Sequence, residues 1–375
     1  MLESLYIHIP FCRQKCAYCD FYSVVYQKDL ARQYIDVLCG QIKNLAIDFR
    51  TIYIGGGTPA VLDIKLLDKL LKNLEKVSRK TVEFTIEVNP ESLDRDKIKL
   101  FRDSGVNRLS IGVQSFYNDK LKKLDRIHSA QRALNSIFLA QKLGFKNINI
   151  DLIFGLWEET LVAWREELRL AVNLPITHIS AYALAYERNT PLFWQLKKGE
   201  VTPLEDMEVT GMYRYAMDYL PASGFFQYEV SNFSKKGYRC RHNLNYWDNN
   251  AYLSLGVSAV SYVNRIREKY TSNIKNYLKQ LRSGRSPVVF SEKLSLAKRA
   301  KETAALKIRT TAGINFKWFK KQTGFDFFQL ESRTVLKELL DKKLLHPVEK
   351  NGKIVGLCLT KKGFLFCDTV SSSFL

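Results

Sequence analysis

Six short runs rich in β-branched and aromatic residues alternate with amphipathic segments over the first half of this 375-residue chain. The strand-like runs lie at 5–9, 51–54, 82–88, 108–113, 147–152 and 177–182. The intervening segments at 30–45, 62–77, 94–104, 130–143 and 161–172 carry apolar residues at helical spacing. Such alternation leaves few folds open, because parallel strands need crossovers and helices supply them. It predicts an α/β chain built on a parallel sheet. Six strand–helix units fall short of the eight of a closed barrel, and functional groups are expected at the C-terminal ends of the strands.

Directly after the first strand, Cys12, Cys16 and Cys19 stand at C-x₃-C-x₂-C spacing between Phe11 and Phe21. Thiolates are soft ligands for zinc or iron–sulfur chemistry. A structural zinc site wants a fourth local ligand, and the next cysteine is only Cys39. Three cysteines suit a four-iron cluster with one iron left open, which is useful only when another molecule binds that iron. The odd total of seven cysteines, with the rest scattered, argues against a disulfide framework and for a reducing compartment.

Further polar signals fall at the ends of successive strands. Gly55-Gly56-Gly57-Thr58-Pro59 follows the second, and its glycines let a ligand approach the backbone. Glu87, Gln114 and Asp151 end the third, fourth and fifth, a polar ring that a pure core would penalise.

The run Tyr6-Ile7-His8-Ile9-Pro10-Phe11-Cys12 through Cys19, with Tyr18 before the third cysteine, resembles the radical S-adenosylmethionine (SAM) superfamily. Within it the chain is similar to the branch that holds oxygen-independent coproporphyrinogen dehydrogenases and haem chaperones. The resemblance implies an open, three-quarter (β/α)₆ barrel over residues 1–182 and a [4Fe-4S] cluster on Cys12, Cys16 and Cys19. SAM would chelate the open iron, and one electron from the cluster would cleave its sulfonium to a 5′-deoxyadenosyl radical. Gly56, Gly57 and Thr58 match the segment that holds the methionyl amine, Glu87 matches a SAM contact, and Tyr6 is expected to line the same mouth. Gln114, Arg126, Asp151 and Ala185 match positions that hold a second SAM in decarboxylating relatives, which leaves one or two SAM molecules open.

From residue 183 the pattern becomes irregular, with a helix expected near 206–220 and a stretch rich in Tyr, Phe and Asn at 225–247. Residues 183–287 are expected to close the barrel. Beyond Ser283-Gly284-Arg285-Ser286-Pro287, helices at 296–308 and 333–344 precede strand-like runs at 345–348 and 354–360 that flank the hairpin signal Asn351-Gly352. Helix, helix and hairpin predict a winged-helix-like α+β domain over 288–375. Many such domains bind DNA, but in the resembling branch a similar domain is a structural appendage, so nucleic acid is not an expected partner.

The net charge is +20, of which residues 291–375 carry +9 through 17 Lys and Arg against 8 Asp and Glu. Nucleic acid, an anionic membrane surface touched transiently, or a porphyrin with propionates would answer that charge, and so would a plain solvated lysine surface. No stretch approaches the roughly 18 apolar residues of a membrane span, and acidic Glu3 does not suit a basic leader, so a cytoplasmic protein is expected.

Arg241-His242-Asn243-Leu244-Asn245-Tyr246-Trp247 resembles the H-N-x-x-Y-W pattern of the haem chaperones. It points to His242 as an axial haem ligand beside rings that stack on a flat macrocycle. The oxidase pattern continues as C-x₃-C-x₂-C-x-C, whereas Phe21 holds the fourth position here, and its N-terminal extension is missing because eleven residues precede Cys12. The expectation is therefore a haem chaperone that binds haem, the cluster and SAM, delivers haem to recipient apoproteins, and uses an electron donor, with a homodimer left open. An oxygen-independent coproporphyrinogen III oxidase is the first alternative and a nucleic-acid-modifying radical SAM enzyme the second. No catalytic residue is assigned.

Overall fold

A computed structural model describes residues 2–330 and 333–375. Strand β1 (Ser4–Ile9) is followed by the short parallel pair β2 (Phe11–Cys12) and β3 (Val24–Val25), which brackets the cysteine loop. Then come β4 (Thr51–Gly56), β5 (Glu83–Val88), β6 (Arg108–Gln114), β7 (Asn147–Phe154) and β8 (His178–Ala183). The strands pair in parallel in the order β1-β4-β5-β6-β7-β8, the arc expected from the alternation. Helices Lys28–Lys43, Ile64–Leu74, Arg95–Asp103, Ala130–Lys142 and Leu161–Val172 supply the crossovers. Several begin on their own caps: Asp94, Ser129 and Thr160 accept from the backbone N–H groups of Lys97, Arg132 and Ala163.

The strands alternate with period two, unusual for a parallel sheet covered on both faces. Leu5, Ile7 and Ile9, Ile52 and Ile54, Phe84 and Ile86, Leu109 and Ile111, and Ile148 and Ile150 are buried in the main core. The intervening positions are polar: Tyr53, Glu87, Arg108, Ser110, Asn149, Asp151 and Ser180 all line one cavity. One face of the arc therefore packs on the helices and the other encloses a polar lumen.

Residues 183–293 extend this sheet at both edges. On one side β10 (Asn232–Ser234) adds antiparallel to β8, and β9 (Phe226–Gln227) pairs antiparallel with β10 at the edge. On the other, β11 (Tyr252–Leu255) lies parallel to β1, and β12 (Val260–Val263), β13 (Ile266–Tyr270) and β14 (Val288–Lys293) continue antiparallel. The result is a 12-stranded sheet that runs from β14 to β9. Local sequence signals are short for β11 to β14, although Val260-Ser261-Tyr262-Val263 and Val288-Val289-Phe290 are β-type runs. β11 and β12 hold four residues each, and β13 reads Ile-Arg-Glu-Lys-Tyr. β11 pairs with β1, about 250 residues away in sequence, and β12 to β14 follow from it as successive antiparallel neighbours.

At the C-terminus, helices Leu296–Lys307, Phe316–Thr323 and Arg333–Asp341 pack with a small sheet of β15 (Ile314–Asn315), β16 (Leu345–Lys350) and β17 (Lys353–Leu359). Asn351 and Gly352 join β16 to β17 with φ of 52° and 71°, the pair of positive φ values that a tight hairpin turn needs. This is the winged-helix-like α+β element. No helix among the described residues is long and apolar enough to cross a membrane.

Candidate radical SAM site

The cysteine loop folds over the C-terminal mouth of the lumen. Cys12, Cys16 and Cys19 line a cavity of about 500 Å³, and Tyr18, Gly56, Gly57, Thr58, Glu87, Gln114, Arg126, Asp151 and Ala185 line it with them. The loop is tied down from several strands. Thr58 Oγ1 donates to Cys12 Sγ at 3.7 Å and accepts from Asn89 Nδ2 at 2.8 Å. Arg126 Nη1 donates to Cys16 Sγ at 3.5 Å while its Nη2 holds the Gly112 carbonyl at 3.0 Å. A guanidinium and a hydroxyl thus point at two of the three sulfurs, the outer support that orients thiolate ligands.

The glycines meet real steric demands. A Cβ on Gly57 would lie 2.7 Å from the Phe11 carbonyl oxygen and 3.0 Å from Cys12 Sγ. Gly56, at φ +114°, would put its Cβ 2.5 Å from the His8 ring. The second strand can pass under the cysteine loop only without side chains there.

Burial favours the protonated thiol at two of the three cysteines: it pushes Cys12 up and raises Cys19 to about 11, with the neighbouring cysteine charges adding to both shifts. A bound cation offsets that cost, and metal loading then releases protons. Among the described residues, no set of three or more His, Cys, Asp and Glu side chains converges on a single-ion site. A four-iron cube spreads its thiolates over separate irons, so three free, half-buried cysteines on one cavity wall fit that group. When bound, the cluster and SAM supply one-electron cleavage of a sulfonium. The chain itself supplies the three thiols, the glycine cradle and the polar lumen.

Glu87 lines that lumen from the C-terminal end of β5. Tyr53 donates to its Oε1 at 2.7 Å and the Gly56 amide to its Oε2 at 3.0 Å. Burial raises it to about 7, with Asp151 adding to the shift. Asp151 accepts from Asn149 Nδ2 at 2.9 Å, and burial raises it too.

Two residues singled out from sequence stand elsewhere. Tyr6 does not reach the cluster cavity. Its hydroxyl donates to His8 Nδ1 at 3.0 Å, and it lines an adjoining chamber of about 580 Å³ that shares Asp20, Phe21, Gly56 and Glu87 with the first. Tyr246, Tyr252 and Tyr262 form much of that chamber's wall.

His242 is on neither wall. It is 1% exposed, in helix Arg241–Trp247, with both ring nitrogens engaged. Thr51 Oγ1 donates to Ser4, so it accepts from His242 Nδ1–H at 2.9 Å, and Nε2 accepts the Tyr246 hydroxyl at 2.8 Å. Burial lowers its pKa to about 3, and the ring is neutral. In the ligand-free chain the Nε2 lone pair is covered by Tyr246, because the motif's own i,i+4 spacing brings the phenol onto the imidazole.

Sequence reasoning passed over Tyr53, Glu83, Asn89, Arg108 and Asn149. The signal for most of them is the period-two polar alternation within strands flanked by helices. Glu83 is the exception, since it serves residues far along the chain. Its carboxylate accepts from the Arg241 and His242 amides at 2.8 and 2.9 Å and from Cys240 Sγ at 3.4 Å, capping the helix that carries the H-N-x-x-Y-W motif.

The Radical SAM superfamily model matches residues 6–171. The chain is 34% identical to the heme chaperone HemW of Bacillus subtilis, over 100% of this chain and 99% of that protein. It is 39% identical to HemW of Escherichia coli over 68% of this chain and 69% of that protein. The coproporphyrinogen III oxidase HemN of E. coli shares its fold, with a TM-score of 0.85 at 22% identity over 100% of this chain and 90% of that one. On full-length similarity of this kind, the chain belongs to the HemW family of haem chaperones within the radical SAM superfamily.

Proposed function

We propose that the chain is a haem chaperone: it holds a [4Fe-4S] cluster and SAM at the lumen mouth, takes haem as cargo and passes it to recipient apoproteins. The observation that carries this reading is the tyrosine-walled chamber beside the cluster cavity. Tyr246 and Tyr252 meet edge to face at 4.6 Å, and Tyr262 follows at 6.3 Å, so aromatic faces surround a space suited to a flat macrocycle. His242 serves as the axial ligand once the Tyr246 hydroxyl leaves its Nε2, with Nδ1–H held by Thr51 as metal-binding histidines require. Cys12, Cys16 and Cys19 hold the cluster, and an electron donor reaches it from the outside, where Phe21 is 63% exposed.

The test is a haem titration of anaerobically reconstituted protein, followed by transfer to an apo-haemoprotein, alongside a turnover assay with SAM, reductant and coproporphyrinogen. Haem binding and transfer without decarboxylation is the expected result. His242→Ala should shift or weaken the Soret band while the cluster absorbance stays. Stoichiometric protoporphyrinogen formation, with the same haem spectrum in the His242→Ala variant, would transfer support to the oxidase reading.

A further inference from the structure

Among the described residues, Arg267 is the one lysine or arginine that lines the tyrosine-walled chamber, whose carboxylates are Asp20, Glu87 and Glu302. Strand register puts it there. Tyr252 stands opposite Tyr262, and Tyr262 opposite Arg267, so the three side chains form one row across β11, β12 and β13 on one face of the sheet. The rings of Tyr252 and Tyr262 lie 6.3 Å apart, and the guanidinium carbon of Arg267 lies 5.6 Å from the Tyr262 ring. A flat ligand stacked on the two tyrosines therefore meets the guanidinium at its edge.

Arg267 is held in that row by carboxylates. Its Nη2 donates to Glu302 Oε1, and Glu292 Oε2 lies 3.7 Å from its Nη1. Glu302 has a second partner, since its Oε2 accepts from Asn249 Nδ2 at 3.3 Å. The side chains of Arg267 and Glu302 are 29% and 20% exposed, so the pair touches water and gains little net stability from one carboxylate over another. The planar fork of five N–H donors suits a carboxylate supplied by a ligand as well as it suits Glu302.

We propose that Arg267 anchors a propionate of the haem, and that Glu302 holds the guanidinium in place until the propionate arrives. This rests on the chaperone reading. One carboxylate replaces another in the guanidinium's fork, while Asn249 keeps its hold on the released Glu302. The anchor also orients the cargo. The chamber runs from Arg267 on β13 to Gly56 on β4, four strands along the sheet, so the propionate edge is turned away from the cluster cavity.

The experiment measures affinities for haem and haem dimethyl ester by Soret titration of the full-length, cluster-reconstituted protein. It compares the wild type with Arg267→Met, Arg267→Lys and Glu302→Gln, and takes Lys269→Met as the control. Lys269 is an exposed cation on the same strand and is not on the chamber wall. The wild type should prefer haem to its diester about tenfold, as expected for one charge-assisted hydrogen-bonded pair. Arg267→Met should lose that preference with its diester affinity unchanged, and Arg267→Lys should keep part of it. Glu302→Gln should widen it, because the competing carboxylate is gone, and Lys269→Met should leave it as it is. A full preference in Arg267→Met would overturn the proposal. So would an equal fall for both porphyrins, which would show packing on Tyr262, or the same loss in Lys269→Met, which would show a general field. Wild type that binds both porphyrins equally would overturn the anchor and leave the chaperone reading standing, whereas wild type that binds neither would remove that reading and the anchor with it.

Discussion

Glu83→Ala is the substitution that best probes how this chain holds its motif helix. Glu83 is buried in β5 and caps helix Arg241–Trp247 from 158 residues away. Removing its carboxylate strands the amides of Arg241 and His242 and the thiol of Cys240, bonded now at 2.8, 2.9 and 3.4 Å. Each buried donor left unpaired costs roughly 1–3 kcal/mol, and loss of a helix cap alone costs about 0.5–2 kcal/mol. Arg241 is exposed and regains water, so the sum is about 3–5 kcal/mol. At roughly 2 °C per kcal/mol for a chain of this size, the thermal midpoint should fall by about 6–10 °C. Glu83→Gln keeps one acceptor and should lose about half as much. Thermal unfolding by circular dichroism measures both. Because Glu83 is not on the cluster cavity wall, SAM affinity should change less than about threefold, while the haem Soret band of the loaded protein should weaken. A midpoint within about 2 °C of the wild type in Glu83→Ala would refute the claim that this carboxylate anchors the helix.

Gly56→Ala forces a side chain to φ +114° and a Cβ to 2.5 Å from the His8 ring, so it should cost roughly 1–3 kcal/mol in backbone strain and abolish SAM binding, read by denaturant unfolding and dialysis. Glu167 accepts from Lys120 Nζ at 2.7 Å, from the Phe116 amide at 2.8 Å and from Ser115, just beyond Gln114, so Glu167→Ala should cost about 3–5 kcal/mol by leaving Lys120 half unpaired. An unfolding free energy within about 1 kcal/mol of wild type would contradict that. For pH, His242 falls from 6.5 to about 3 on folding, so between those values the unfolded chain binds the extra proton and this group's stability is lost as pH drops. Glu87 and Glu229 rise from 4.5 to about 7, which works the other way between those values. His242→Gln should therefore remove the acid-side loss, at up to about 1.4 kcal/mol per pH unit, and stability differences that do not vary with pH would count against a neutral buried imidazole.

The features legible in the sequence were those that break a local pattern. Three cysteines in eight residues, a glycine triplet after a strand and a carboxylate or amide at a strand end each stand out against apolar surroundings. Arg108 and Asn149 do not, because a polar residue at alternate positions of a strand reads as a solvated face until the lumen is known. Other contacts depend on strand order. His242 meets Thr51 across 191 residues and Glu83 meets Cys240 across 157, and no periodicity encodes either pairing. The covered state of His242 was hidden for that reason, although Tyr246 was visible four residues along. The added strands β11 and β13 are hidden because their hydrogen-bond partners, rather than their side chains, make them strands, whereas β12 and β14 carry short β-type runs inside an otherwise irregular stretch.

Tyr53 belongs to both halves of the site. Its hydroxyl holds Glu87, which holds the Gly56 amide, and its ring lies against His242 at 5.2 Å and 33°. A cargo that draws His242 away from Tyr246 must also move the surface on which Tyr53 rests. The occupancies of the two ends are then not independent variables, and linkage requires the coupling to be reciprocal. Whatever factor loaded haem applies to SAM affinity, bound SAM applies to haem affinity, so one titration at two SAM concentrations fixes both. Tyr53→Phe cuts the hydroxyl contact but keeps the ring, and should bring that factor towards unity.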